Sequence, residues 1–210
     1  MKEKLKFDKW WDEFTHSREV INSKGEIDVL TRAFLEFDTH ERQAFIDELL
    51  KREKYYIACE YVPKYGTDEQ KQLIRDKLTQ WLNVNDNTAN GNYFIMAILK
   101  TYKETDHELV KRYFSTQRTV WFTIPVELFG IDPSLFLSAF KKFLPRFNDE
   151  KLYEYETLSY LIYSPDTIEF LIDNLNNEQS DRIKKFCVAK AIKPWYNEDT
   201  RKELIRLSNK

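Results

Sequence analysis

The chain has 210 residues, 42% of them hydrophobic and 15% aromatic, which is ample for a packed core and excludes an intrinsically disordered protein. Its 33 basic residues nearly balance 35 acidic ones, for a net charge of −2, a composition that disfavours a dedicated nucleic-acid binder with its basic excess. Cys59 and Cys187, the two cysteines, read as buried thiols of a reducing compartment, and with no apolar run of membrane-spanning length and no signal-peptide core near Met1 the expected location is the cytoplasm.

In chain order, the apolar residues recur at helical spacing. Phe7, Trp10, Trp11, Phe14 and Ile21 form one stripe, Ile27, Leu30, Phe34 and Phe37 the next, and Phe45, Ile46, Leu49 and Leu50 a third. Thr67-Asp68-Glu69-Gln70 reads as a capping box opening the helix that buries Leu73, Ile74, Leu78, Trp81 and Leu82. Asn83 to Asn92 is polar and reads as a connecting loop. Within it, Asp86 to Gly91 resembles half of a calcium loop, but Ala97 stands where the bidentate glutamate belongs. Thr105 to Glu108 reads as a second capping box. Thr119 to Ile124 is β-branched and aromatic but has no partner strand, so it reads as a short buried helix broken near Pro125. Asp132-Pro133 and Ser164-Pro165 place proline in first helical turns behind good capping residues, and Asn148 and Asn197 read as N-caps. Stripes follow at Leu135, Phe136, Ala139, Phe140 and Phe143, at Ile168, Phe170, Leu171 and Leu175, and at Leu204, Ile205 and Leu207. The four glycines (25, 66, 91 and 130) fall at proposed breaks, where a left-handed residue can end a helix.

A short phrase closes three of these stretches: Pro63-Lys64-Tyr65, Pro145-Arg146-Phe147 and Pro194-Trp195-Tyr196, with a degenerate copy at Lys100-Thr101-Tyr102. Counting the degenerate copy, the steps are 37, 45 and 49 residues, the spacing expected of stacked helical hairpins. Over residues 55–208 the pattern resembles HEAT or armadillo-type α-helical repeats. The resemblance implies an all-α, right-handed α-α superhelix of about 11–12 helices. Residues 1–210 would form one domain, with 1–53 as atypical N-terminal helices and 54–210 as the hairpin repeats. Proteins of that architecture mostly serve as binding platforms.

Chemical motifs are sparse. His16, His40 and His107 lie far apart and read as surface or cap residues, and no metal constellation, phosphate loop or nucleophile motif occurs, so no catalytic residue, metal or cofactor is expected. Glu154 and Glu156 are two apart on a helix and point to different faces. Lys141, Lys142, Arg146, Arg182, Lys185, Lys190, Lys193, Arg201 and Lys202 read as solvated faces, with a phosphate-tracking groove as the other reading.

The expected function is therefore non-catalytic protein–protein recognition, as an adaptor or a toxin-immunity type of binder. Arg75, Arg112, Tyr155, Trp195 and Arg201 are the expected partner contacts. The alternative is a HEAT-like DNA-binding enzyme resembling the DNA alkylation repair glycosylases, using Lys141, Lys185 and Lys193 with Trp121 or Trp195. A third reading is homo-oligomerisation through one end of the array, at Trp10 and Trp11.

Overall fold

A computed structural model describes residues 34, 36–84, 88–116, 126–146, 164–194 and 196–210. Among them it contains ten α-helices and no strand, so the protein is all-α. The chain divides into two compact units, Met1–Asp86 and Asn87–Lys210.

In the first unit α1 (Thr39–Lys51) packs on α2 (Tyr55–Tyr65), and α2 packs on α3 (Asp68–Asn83). Asp38 caps α1 in a reciprocal box, accepting from the Glu41 amide at 2.8 Å while Glu41 accepts from the Asp38 amide at 3.1 Å. The box expected at Thr67 is present: the Gln70 amide donates to Thr67 Oγ1 at 3.2 Å and the Thr67 amide to Gln70 Oε1 at 2.9 Å. The Gln70 amide group reaches further, donating to Asp47 Oδ1 at 2.7 Å and to the Gln43 carbonyl at 3.3 Å, and so fastens the start of α3 to α1. Phe45, Ile46, Leu49, Leu50, Ile74, Leu78, Trp81 and Leu82 are buried as their spacing requires, whereas Leu73 is exposed.

The α1–α2 connection is closed by a residue no glycine rule points to. Glu53 has φ 56°, in the left-handed region. Its amide donates to the Leu50 carbonyl at 3.1 Å and that of Lys54 to Leu49 at 2.9 Å, the paired bonds of a Schellman motif. A side chain in this conformation is strained, so Glu53→Gly is expected to raise the unfolding free energy by about 0.5–1 kcal/mol in denaturant melts. The one side-chain bond lost, from Tyr55 Oη to Glu53 Oε1, is long at 3.5 Å.

The second unit opens with α4 (Asn90–Lys100), α5 (His107–Ser115), α6 (Val126–Ile131) and α7 (Pro133–Phe143). α4 contacts α5 and α6, and α7 contacts α5 and α6. The polar loop expected over Asn83 to Asn92 is shorter than its composition suggests, because Asn90, Gly91 and Asn92 form the first turn of α4. Asn92 is held there by the fully buried Tyr113, whose hydroxyl donates to Asn92 Oδ1 at 2.6 Å. The box expected at Thr105 is replaced. Glu104–Asp106 forms a 3-10 turn, and Asp106 Oδ2 accepts from the Lys103 amide at 2.9 Å, so Thr105 lies inside the turn rather than capping α5. Asp132 caps α7 through the Leu135 amide at 2.9 Å, with Pro133 in the first turn as expected.

The unit closes with α8 (Pro165–Asn174), α9 (Asn177–Ala191) and α10 (Glu198–Ser208), in which each helix contacts both others. Pro165 occupies the first turn of α8. Ser164 places its hydroxyl on Thr167 Oγ1 at 2.7 Å rather than on a backbone amide. Asn197 caps α10, accepting from the Thr200 amide at 2.8 Å. Phe129 of α6 meets Phe170 of α8 at 5.1 Å between ring centres, joining the two halves of this unit. Cys59 and Cys187 are both buried thiols, and burial pushes the Cys187 thiol up to about 12. The β-branched segment Thr119–Ile124, the cap at Asn148, the carboxylates Glu154 and Glu156, and the stripes before Phe34 lie outside the described residues.

Candidate functional site

The α8–α10 bundle gives the clearest separation of a packed face from an outward one. Asn176 caps α9 by accepting from the Gln179 amide at 2.8 Å, and the buried Ser180 hydroxyl donates to the Ile172 carbonyl at 3.1 Å, which pins α9 back on α8. With its start fixed, α9 turns Ile183, Phe186, Cys187, Lys190 and Ala191 inward, towards a core shared with Ile168, Leu171 and Ile172 of α8 and Leu204 and Leu207 of α10. Lys190 is buried along its stem, with its ammonium 5.5 Å from the centre of the Phe186 ring. Desolvation, and after it the neighbouring Lys193 charge, lower its pKa.

The opposite face carries Asp181, Lys185, Val188 and Ile192, at steps of four, three and four along one stripe, all exposed. Val188 is 52% exposed and Ile192 75%. From Lys184 to Lys193 the sequence holds four lysines and no acid. Val188 and Ile192 thus stand outward on a stripe that also carries one acid, Asp181, and one base, Lys185, while Lys184 pairs with Asp181 at 3.9 Å.

The expected contact residues are placed as follows. Arg75 is buried and donates to the Lys71 carbonyl of its own helix at 3.1 Å, so its guanidinium supports α3 rather than facing outward. Arg112 is exposed on α5. Arg201 is partly exposed and donates to the Pro194 carbonyl at 2.9 Å, which anchors the turn between α9 and α10. Tyr155 and Trp195 lie outside the described residues.

The basic residues read together in the sequence differ in their surroundings where their side chains are described. Arg182 turns to the Leu144 carbonyl at 3.1 Å and Lys190 is buried, while Lys202 pairs with Glu198 at 2.8 Å. Lys141, Lys142 and Lys185 are exposed. His40 and His107 stand in the first turns of α1 and α5, as expected. His107 Nε2 is 3.8 Å from Asp132 and Nδ1 is 3.4 Å from the Tyr102 hydroxyl. Among the described residues no group of three or more His, Cys, Asp or Glu side chains is arranged to hold a metal ion.

Val188 and Ile192 were missed as a surface signal. The clue in the sequence was register: both fall on the stripe of Asp181 and Lys185, not on that of Ile183 and Phe186.

A second charged constellation joins α8 to α10. Arg206 pairs with Glu169 at 3.1 Å and with Glu203 at 2.7 Å, and Lys210 pairs with Glu169 at 2.8 Å. The hydrogen bond from Arg206, and then that from Lys210, hold the Glu169 carboxyl at about 2 against an ordinary value of 4.5. A carboxylate depressed in this way stabilises the fold fully above its unfolded pKa. That contribution is lost as pH falls from about 4.5 towards 2. Glu169→Gln is therefore expected to flatten the acid limb of the stability–pH profile below about pH 5. High salt should shrink the difference between the two proteins, because the network is exposed.

The fold thus defines an all-α protein, and among the described residues no helix is long and apolar enough to cross a membrane. No family model, curated protein or solved structure matches the chain.

Proposed function

We propose that this chain is a non-catalytic α-helical protein that binds another protein, as an adaptor or a toxin-immunity type of binder. Its helices are read as hairpins stacked in a HEAT-like superhelix. The observation that carries the reading is the exposed pair formed by Val188 on α9 and Ile192 at its C-cap, on a helix whose inner face is packed. A helix that presents branched aliphatics one turn apart to water holds surface that association would bury with gain. The two buried thiols suit a reducing compartment, the cytoplasm.

Affinity purification of the tagged full chain from cells that naturally make it, under gentle conditions, tests the reading. A stoichiometric partner that co-migrates with the chain is the expected result. A clean monomer with no partner counts against it. Titration of the same preparation with duplex DNA at low salt is the companion measurement, since salt-sensitive binding would favour the HEAT-like DNA-binding enzyme instead.

A further inference from the structure

Of the four glycines in the chain, only Gly91 follows an asparagine. An asparagine–glycine pair can modify itself with no reagent but water. The Gly91 backbone nitrogen attacks the side-chain carbonyl carbon of Asn90. The bond from that carbon to Nδ2 breaks, and ammonia leaves with the proton that the Gly91 nitrogen gives up. Water then opens the resulting succinimide at either carbonyl. One opening gives aspartate, and the other gives isoaspartate, with the chain rerouted through the former side chain. Glycine suits the attack because no Cβ shields its nitrogen.

The structure sets two features of this pair against each other. Gly91 lies in the first turn of α4, where backbone amides have no partner within the helix, and Ala89 before it supplies no capping side chain. The attacking nitrogen is therefore not engaged in the helix ladder. Asn90, however, is already helical, with ψ about −40°, and this turns the Gly91 nitrogen away from the side-chain carbonyl it must reach. Ring closure has to wait until the first turn opens. That turn is fastened two residues further on. The Asn92 amide donates to the Ala89 carbonyl at 3.0 Å, and Asn92 Oδ1 accepts from the hydroxyl of the buried Tyr113 on α5 at 2.6 Å.

We propose that Asn90–Gly91 is a self-modification site held closed by the Tyr113–Asn92 bond between α5 and α4. Deamidation then proceeds by local opening of the first turn of α4, without unfolding of the unit around it. The two products act on that turn in opposite ways. Aspartate adds an acid to a first turn that has none, at the positive end of the helix. Isoaspartate lengthens the backbone by one carbon and puts Asn92 out of register with Tyr113. The inference stands apart from the protein-binding reading above and does not rest on it.

The test incubates the full chain in mildly alkaline buffer, native and in guanidinium, and follows the peptide holding Asn90 by mass spectrometry. Chromatography against synthetic standards separates its aspartate and isoaspartate forms. In guanidinium Asn90 should deamidate ahead of every other asparagine, and in the native chain at least about tenfold more slowly. Tyr113→Phe should speed the native reaction about fivefold, the ratio that loss of one ordinary hydrogen bond gives an opening equilibrium, and leave the guanidinium rate unchanged. Asn92→Ser breaks the same bond from its partly exposed end and should act likewise, which keeps the test decisive if Tyr113→Phe does not fold. Ser180→Ala removes a buried hydrogen bond elsewhere in the same unit and should leave the native rate unchanged. No reaction at Asn90 in guanidinium, or a native rate equal to the guanidinium rate, overturns the proposal. So does indifference to the loss of the Tyr113–Asn92 bond, or an equal acceleration by Ser180→Ala, which would mean that the whole unit must unfold.

Discussion

Phe34→Ala is expected to cost about 3–5 kcal/mol of unfolding free energy, a large share of what a domain of this size possesses. The ring is almost wholly buried and is the hub of an aromatic cluster. It stacks on Tyr61 at 4.2 Å between centres and meets Tyr65 at 5.0 Å, Phe45 at 5.6 Å and Phe37 at 6.5 Å. Truncation removes the stack on α2 and opens a cavity walled by rings, which are too rigid to collapse into it. Arg42 makes a smaller contribution, its guanidinium lying 5.6 Å from the Phe34 ring and 5.4 Å from that of Tyr65. Its Nε donates to the Phe34 carbonyl at 3.1 Å, a backbone bond that the substitution spares. Phe34→Leu refills part of the volume and should cost about 1–2 kcal/mol. Denaturant melts check both, with a shifted midpoint at unchanged slope. A loss below about 1 kcal/mol for the alanine variant would show that the ring is not a packed hub.

How much of this was legible in the sequence depends on the range of the interaction. Caps were legible where one side chain and one nearby amide suffice, as at Thr67, Asp132 and Asn197. They were misread where a competitor sat next door. The carboxylate of Asp106, one residue beyond Thr105, accepts from the Lys103 amide and closes a 3-10 turn that takes in Thr105 itself. The asparagines at 90 and 92 have loop composition, yet the apolar run behind them and the buried Tyr113 hydroxyl draw them into α4. The recurring Pro-x-aromatic phrase occupies three backbone settings. Pro63 lies in the last turn of α2, Pro145 in a 3-10 turn after α7, and Pro194 in the turn beyond α9. Spacing therefore located helix ends, but it carries no information on which helix faces which.

The candidate surface was less legible for the same reason. Arg75 and Lys190 look solvent-exposed by residue type, yet both are buried, because the stem of a long cation is apolar enough to pack. Val188 and Ile192 look like core by residue type, yet both are exposed. Residue type misassigns both classes. At the C-terminal end of α9 the register, fixed by its Asn176 cap and the Ser180 bond to α8, sorts Lys190 from Val188 and Ile192.

Gly66→Ala is expected to cost about 1–3 kcal/mol, for a reason other than the left-handed conformation that helix-ending glycines commonly supply. Gly66 ends α2 with φ −72° and ψ 152°, an extended conformation open to any residue. Its amide donates to the Val62 carbonyl at 2.9 Å, and this bond presses the two backbones together. A Cβ at position 66 would stand 2.7 Å from the Val62 oxygen and 3.0 Å from its Cα, both backbone atoms that cannot swing aside. Relief requires stretching that bond, which would also displace Thr67, the capping residue of α3. The two explanations separate in a second variant. Were a left-handed backbone the requirement, asparagine would be tolerated better than alanine, since its side chain eases positive φ. With crowding as the cause, Gly66→Asn carries the same Cβ and should be at least as destabilising as Gly66→Ala. Melts of the two proteins side by side decide the matter, and an asparagine variant markedly more stable than the alanine one would overturn the steric account.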